Sequence, residues 1–223
     1  MSSQNTDGTS SAADDDTTSR DDLLRRGERL ETFSVSWDVL EGIIATIAGF
    51  ASGSTTLLGY GFESVIEVTA AGTLFWRLRR ERRNQGASEH VEQRALRIVG
   101  ASFFVLAAYV SYDAISKLVQ GVAPEFSIVG MGMAAATVVV MPPLALAKRR
   151  TVRELGSDAL VADSRETIAS TYLAVTVLAG LGLYQLFDWA WSDSVAALAM
   201  VPYLLWAGVD AWRDATDGGG GSD

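Results

Sequence analysis

Six predominantly apolar stretches recur along this chain of 223 residues, at 37–57, 59–76, 98–119, 126–147, 160–187 and 195–212. At a rise of 1.5 Å per residue, about 20 residues suffice to cross a hydrocarbon core of roughly 30 Å. In lipid each backbone N–H and C=O must find its partner within the protein, so spans of this length fold as helices. Ser/Gly or charge clusters separate the stretches. The expected fold is therefore all-α, a polytopic membrane protein with a six-transmembrane-helix bundle over residues 34–213. Residues 1–33 are rich in Ser, Thr and Asp, with Asp14, Asp15 and Asp16 in a row, and predict a disordered acidic N-terminal tail. That tail has neither the basic start nor the apolar core of a signal peptide, so it is expected to be retained. Residues 214–223, ending in four glycines, Ser222 and Asp223, predict a flexible C-terminal tail.

Charge and composition exclude several function classes. The net charge is −9, Lys117 and Lys148 are the only lysines, and the remaining basic residues are Arg. An acidic, Arg-over-Lys surface is that of a salt-adapted, haloarchaeal-like protein and argues against nucleic-acid binding. There is no Cys, and the single His90 lies in a charged loop, so any metal ligands are oxygens. No Cys nucleophile, Gly-x-Ser-x-Gly elbow or phosphate-binding Gly-rich loop with its Lys is present, and the expectation is that the protein is not an enzyme. Buried carboxylates suggest only a paired-aspartate intramembrane protease, and most of those here are Glu.

The basic residues also set an expected orientation. Arg25, Arg26 and Arg29 precede the first stretch; Arg77, Arg79, Arg80, Arg82 and Arg83 follow the second; Lys148, Arg149, Arg150 and Arg153 follow the fourth. In a six-span chain these clusters share one side, which the positive-inside rule makes cytoplasmic. The protein is thus expected in the cell membrane with both termini cytoplasmic. Trp37, Trp76 and Trp212 on the inner side and Trp189 and Trp191 on the outer fit aromatic belts at the lipid–water interfaces.

Within this apolar frame the sequence Glu63-Ser64-Val65-Ile66-Glu67 is costly, because a carboxylate at membrane depth survives mainly where it meets a partner, an ion or water. Counting from Arg77, Glu67 lies about 15 Å and Glu63 about 21 Å into the bilayer. Asp163, Glu166 and Ser170, counted from Arg153, lie at about 15, 20 and 26 Å. Residues at i and i+3 or i+4 share a helix face, so each group presents its oxygens together. A structural alternative pairs Glu63 and Glu67 with Arg165 or with Ser and Thr hydroxyls that hold helices together.

The Glu63-x-x-x-Glu67 pair on the second span, and Asp163-Ser-Arg-Glu166-x-x-x-Ser170 on the fifth, resemble the cation diffusion facilitator (cation efflux) family. The surrounding text, from Gly59 to Glu67 and from Leu160 to Thr167, carries the same likeness. The resemblance implies six helices, a divalent-metal site between the second and fifth of them, and frequent homodimers. It implies Glu63, Glu67, Asp163, Glu166 and Ser170 as metal ligands, with Ser170 a neutral hydroxyl where the family carries a stronger ligand. Asp163 then substitutes for it, or three strong ligands are completed by water. The family's C-terminal cytoplasmic domain has no counterpart after the sixth span, which suggests a short branch lacking it.

The functional expectation is a secondary transporter exporting a divalent cation of the Zn, Mn or Fe class. Oxygen ligands suit Mg, Mn or ferrous iron, while the family's habits point to zinc. No tightly bound cofactor is expected. The expected partners are the lipid bilayer, the divalent metal ion, protons as counter-ion and a second copy of the chain. The alternative is a non-transporting membrane module that binds metal or a partner protein through the same helices. Of the other ionisable residues, Asp113 is expected to pair with Lys117 four residues on. Glu41 is expected to hydrogen-bond within the bundle, and Asp38 and Asp210 to sit near the cytoplasmic interface. Gly49, Gly53, Gly180 and Gly182 are expected to permit close helix packing, and Pro142-Pro143 to kink or end the fourth span.

Overall fold

A computed structural model describes the backbone of residues 7–82, 89–155 and 158–217, and side chains within 25–27, 29–72, 93–151 and 168–216. The described backbone forms six helices: α1 (Asp7–Ser52), α2 (Thr55–Arg82), α3 (Glu89–Gln120), α4 (Ile128–Leu155), α5 (Asp158–Phe187) and α6 (Ser192–Asp217). Five of them contain segments long and apolar enough to cross a membrane: Arg25–Ser52, Gln93–Gln120, Ile128–Thr151, Ile168–Phe187 and Ser192–Thr216. The described part of α2 falls short of that composition because Glu63, Glu67 and a run of Thr and Gly dilute its apolar residues. Instead α2 packs inside the bundle against α1, α3, α5 and α6, so its carboxylates meet protein rather than lipid. Large apolar side chains face outward on the other helices, among them Ile47, Val105, Val139 and Leu186. That inversion of the usual surface suits a hydrocarbon surround.

The ends of the helices explain how the chain reverses. Gly53, at φ 66°, and Gly121, at φ 68°, adopt the left-handed conformation that terminates α1 and α3, and Asp188, at φ 56°, does so after α5. The N–H of Val122 then reaches the Lys117 carbonyl at 3.0 Å, closing the end of α3. Ser54 caps α2, its hydroxyl accepting the Leu57 N–H at 3.1 Å. The first span accordingly ends at Ser52 instead of running to residue 57, and Leu57 belongs to α2. Apolarity continues across the turn while the backbone reverses, which is why the stretch overran it.

Two other boundaries differ from the sequence expectation. Helix α1 begins at Asp7, and its contacts with α4 start before residue 34: a Cβ on Gly27 would lie 4.0 Å from Thr151, and the Lys148 ammonium reaches Glu31 at 3.1 Å. Lys148 is almost fully buried and needs an anion, which draws this polar part of α1 onto α4. Pro142 and Pro143 lie inside α4, which continues to Leu155.

Close crossings hold the bundle together. A Cβ on Gly61 would sit 2.6 Å from the backbone nitrogen of Thr46, and one on Gly49 would sit 2.8 Å from that of Leu58, so α1 and α2 touch backbone to backbone. Gly100 and Gly208 do the same for α3 and α6, where a Cβ on Gly100 would meet the Gly208 carbonyl at 3.0 Å. Gly180 packs on Ala196, whereas Gly182 has open space. Leu57 and Tyr60 of α2 join Ala45, Ala134, Leu173 and Val177 in one apolar cluster; Phe62 and Ile66 lean on a second between α3 and α6.

Candidate metal centre

Helix α2 presents Tyr60, Glu63, Ser64 and Glu67 along one stripe, at i, i+3, i+4 and i+7. Glu63 is fully buried, and neither of its carboxylate oxygens has a hydrogen-bond partner. Its polar neighbours are the Glu67 carboxylate and the Tyr203 hydroxyl, and the charges of Glu41 and Asp38 also act on it. Glu67 is half-buried, and Tyr203 of α6 donates its hydroxyl to Glu67 Oε1 at 3.1 Å. The two glutamates therefore share a face inside the bundle as their spacing predicts. Leaving a buried carboxylate without donors costs several kcal/mol in order of magnitude, which a bound cation or proton would offset.

Ser170 is buried on α5, three residues before Leu173, on the side of the helix that meets the Leu57–Tyr60 cluster. Asp163 and Glu166 fall within α5, but their side chains lie outside the described residues, as do those of Trp76, Arg77 and Arg165. Among the described residues no three acidic or His side chains come together as a metal centre. Of the expected site residues, the described side chains are thus Glu63 and Glu67 on α2 and Ser170 on α5.

Glu41 is a second buried acid, on α1. It is fully buried and accepts hydrogen bonds from the Trp37 indole at 3.2 Å, the Ser64 hydroxyl at 3.0 Å and the Thr137 hydroxyl. The hydrogen-bonded role expected for Glu41 is met. Trp37, expected in an interfacial belt, instead turns inward and also donates to Thr137 at 3.0 Å. Trp189 and Trp191 do sit exposed at the α5–α6 turn, stacked with centroids 5.1 Å apart.

At the opposite end of α2 the expected Asp113–Lys117 pair forms at 2.6 Å, and Lys117 also donates to the Gly53 carbonyl at 2.9 Å. Asp193, which sequence spacing did not single out, is buried beside it and accepts the Ser54 hydroxyl at 2.6 Å. Tyr203 and Thr137 were missed as well. Their only sequence signal is a hydroxyl in an apolar span, which many structural residues share.

No curated protein matches this chain. The model of the cation efflux transmembrane domain matches residues 33–217. That match runs from within α1 to the end of α6 and includes both carboxylate motifs, and the chain belongs to the cation efflux family of multi-pass membrane transporters of metal cations.

Proposed function

We propose that the protein is a secondary transporter that exports a divalent cation of the Zn, Mn or Fe class from the cytoplasm in exchange for protons. Its site lies between α2 and α5 and uses Glu63, Glu67, Asp163 and Glu166, with Ser170 as a neutral fifth oxygen. The observation that supports this most is Glu63, a fully buried carboxylate whose two oxygens have no hydrogen-bond partner. A glutamate that serves only to hold helices together would be expected to end on donors. Asp163 and Glu166, at i and i+3 near the start of α5, supply the facing acids. The distribution of Arg supports, by the positive-inside rule, a reading with both termini in the cytoplasm, which a homodimer assembled through the spans completes.

Purified protein in proteoliposomes tests it. Wild type is expected to take up Zn, Mn or Fe, and Glu63→Gln/Glu67→Gln to lose that uptake while remaining monodisperse. Absence of uptake by the wild type across Zn, Mn, Fe and Mg would overturn the transporter reading.

A further inference from the structure

Glu41 occupies an unusual place for a hydrogen-bonded acid. The side chains that act on it are those of Thr137, Tyr60, Ser64 and Trp37, and among the described residues no Lys or Arg is hydrogen-bonded to it. A buried carboxyl group with no counter-charge among the described residues is retained in a membrane protein mainly where a proton or a cation visits. Two further buried oxygen groups flank it. The Tyr60 hydroxyl is buried with Glu41 and Thr137 as its polar neighbours, and the Glu63 carboxylate is fully buried where the Glu41 charge acts on it. Asp38, one turn before Glu41 and partly exposed, also acts on Glu63. Asp38 and Glu41 lie one turn apart on α1, and Glu41 meets α2 at Ser64, the residue after Glu63.

We propose that Glu41 and Glu63, with the hydroxyl of Tyr60, form a cation subsite between α1, α2 and α4 through which the transported metal reaches the α2–α5 site. The subsite offers two carboxylates and neutral hydroxyls, a donor set that suits a hard divalent cation such as Mn²⁺. Its hydrogen bonds fix the Glu41 carboxylate in place: Thr137 and Ser64 hold separate oxygens, and Trp37 braces Thr137. This assignment rests on the transporter reading above.

Mn²⁺ uptake by proteoliposomes separates the two. Glu41→Gln keeps the side chain's size and one acceptor oxygen, and is expected to raise the KM for Mn²⁺ at least tenfold with an unfolding midpoint close to wild type. Glu41→Asp keeps the charge but retracts it, and is expected to raise KM several-fold; it serves if the glutamine variant fails to fold. Thr137→Val, which loosens the carboxylate without removing charge, is expected to have a smaller effect than either. A folded Glu41→Gln or Glu41→Asp with wild-type KM, alongside loss of uptake in Glu63→Gln, overturns the subsite and leaves the transporter reading intact. A wild type that moves no divalent cation overturns both.

Discussion

The Asp193 carboxylate, at the first turn of α6, accepts the backbone N–H of Thr55 at 3.0 Å across 138 residues of sequence. Its other oxygen takes the Ser54 hydroxyl, and its backbone carbonyl takes the Thr56 hydroxyl at 2.7 Å. One acid therefore caps the helix that carries Glu63 and Glu67, and ties it to α6, which carries Tyr203. Thr55 in turn donates to Asp113 and receives Lys117 at 3.0 Å, which brings α3 into the same polar knot.

Removing that cap leaves a buried N–H and a buried hydroxyl without partners. Asp193→Ala is expected to destabilise the folded protein by about 1–3 kcal/mol. Asp193→Asn, which keeps an acceptor, is expected to lose less. Thermal unfolding in detergent, followed by circular dichroism, checks the ranking; equal midpoints for alanine and wild type would show that the cap contributes nothing.

The parts of this architecture that the sequence reveals are those encoded locally. Apolar length marks the helices, and the spacing of Asp113 and Lys117, or of Glu63 and Glu67, marks groups on one helix face. The turn at Gly53 was readable in Ser52-Gly53-Ser54, a glycine followed by a capping serine, but the apolar residues on either side obscured it. The Asp193 cap, the Tyr203–Glu67 bond and the Thr137–Glu41 bond join residues 138, 136 and 96 apart. No periodicity reports a contact between separate helices, so these emerge only once the bundle is assembled. The same limit explains Trp37: its place near the end of a span suggests an interface, but its indole follows the buried acceptors Glu41 and Thr137.

The crossing of α1 and α2 leaves no room for a methyl group at Gly61, where a Cβ would lie 2.5 Å from the Thr46 hydroxyl and 2.6 Å from its backbone nitrogen. Gly61→Ala is expected to push the helices apart at a cost of about 1–3 kcal/mol. Gly182, also helical but with nothing within 4 Å of a Cβ, provides the contrast. Gly182→Ala is expected to be neutral, or to stabilise by up to about 1 kcal/mol through the better helix propensity of alanine. The unfolding midpoint of Gly61→Ala should fall while that of Gly182→Ala holds or rises, and a Gly61→Ala protein as stable as Gly182→Ala would contradict the close crossing.

Tyr203 stands where α6 meets the acidic stripe, and its hydroxyl orients Glu67. A hydrogen bond to a charged group contributes about 1.5–3 kcal/mol. Tyr203→Phe keeps the ring and its packing beside Trp206, so the fold should persist. The expected effect is a rise of about tenfold in the KM for transported metal, at the lower end of that energy range. An unchanged KM would mean that Glu67 is positioned by something other than this hydroxyl.

The proposed proton coupling rests on the same group of acids. Glu67 neighbours Glu63 at hydrogen-bonding range, and Glu41 and Asp38 act on it as like charges. In the proposed exchange, repulsion among these acids in the empty carrier would be relieved by protons, which a divalent ion entering among them would displace. Vesicles loaded with a pH-sensitive dye are therefore expected to report proton movement opposite to metal movement. An imposed pH gradient that drives protons out of the vesicles should accelerate metal entry, and reversing it should slow entry. Glu67→Gln removes one carboxylate from the stripe, so any residual flux should carry fewer protons per metal ion. Metal uptake that ignores the gradient in both directions would show that the ion moves without protons, and that the charge on Glu63 is balanced in some other way.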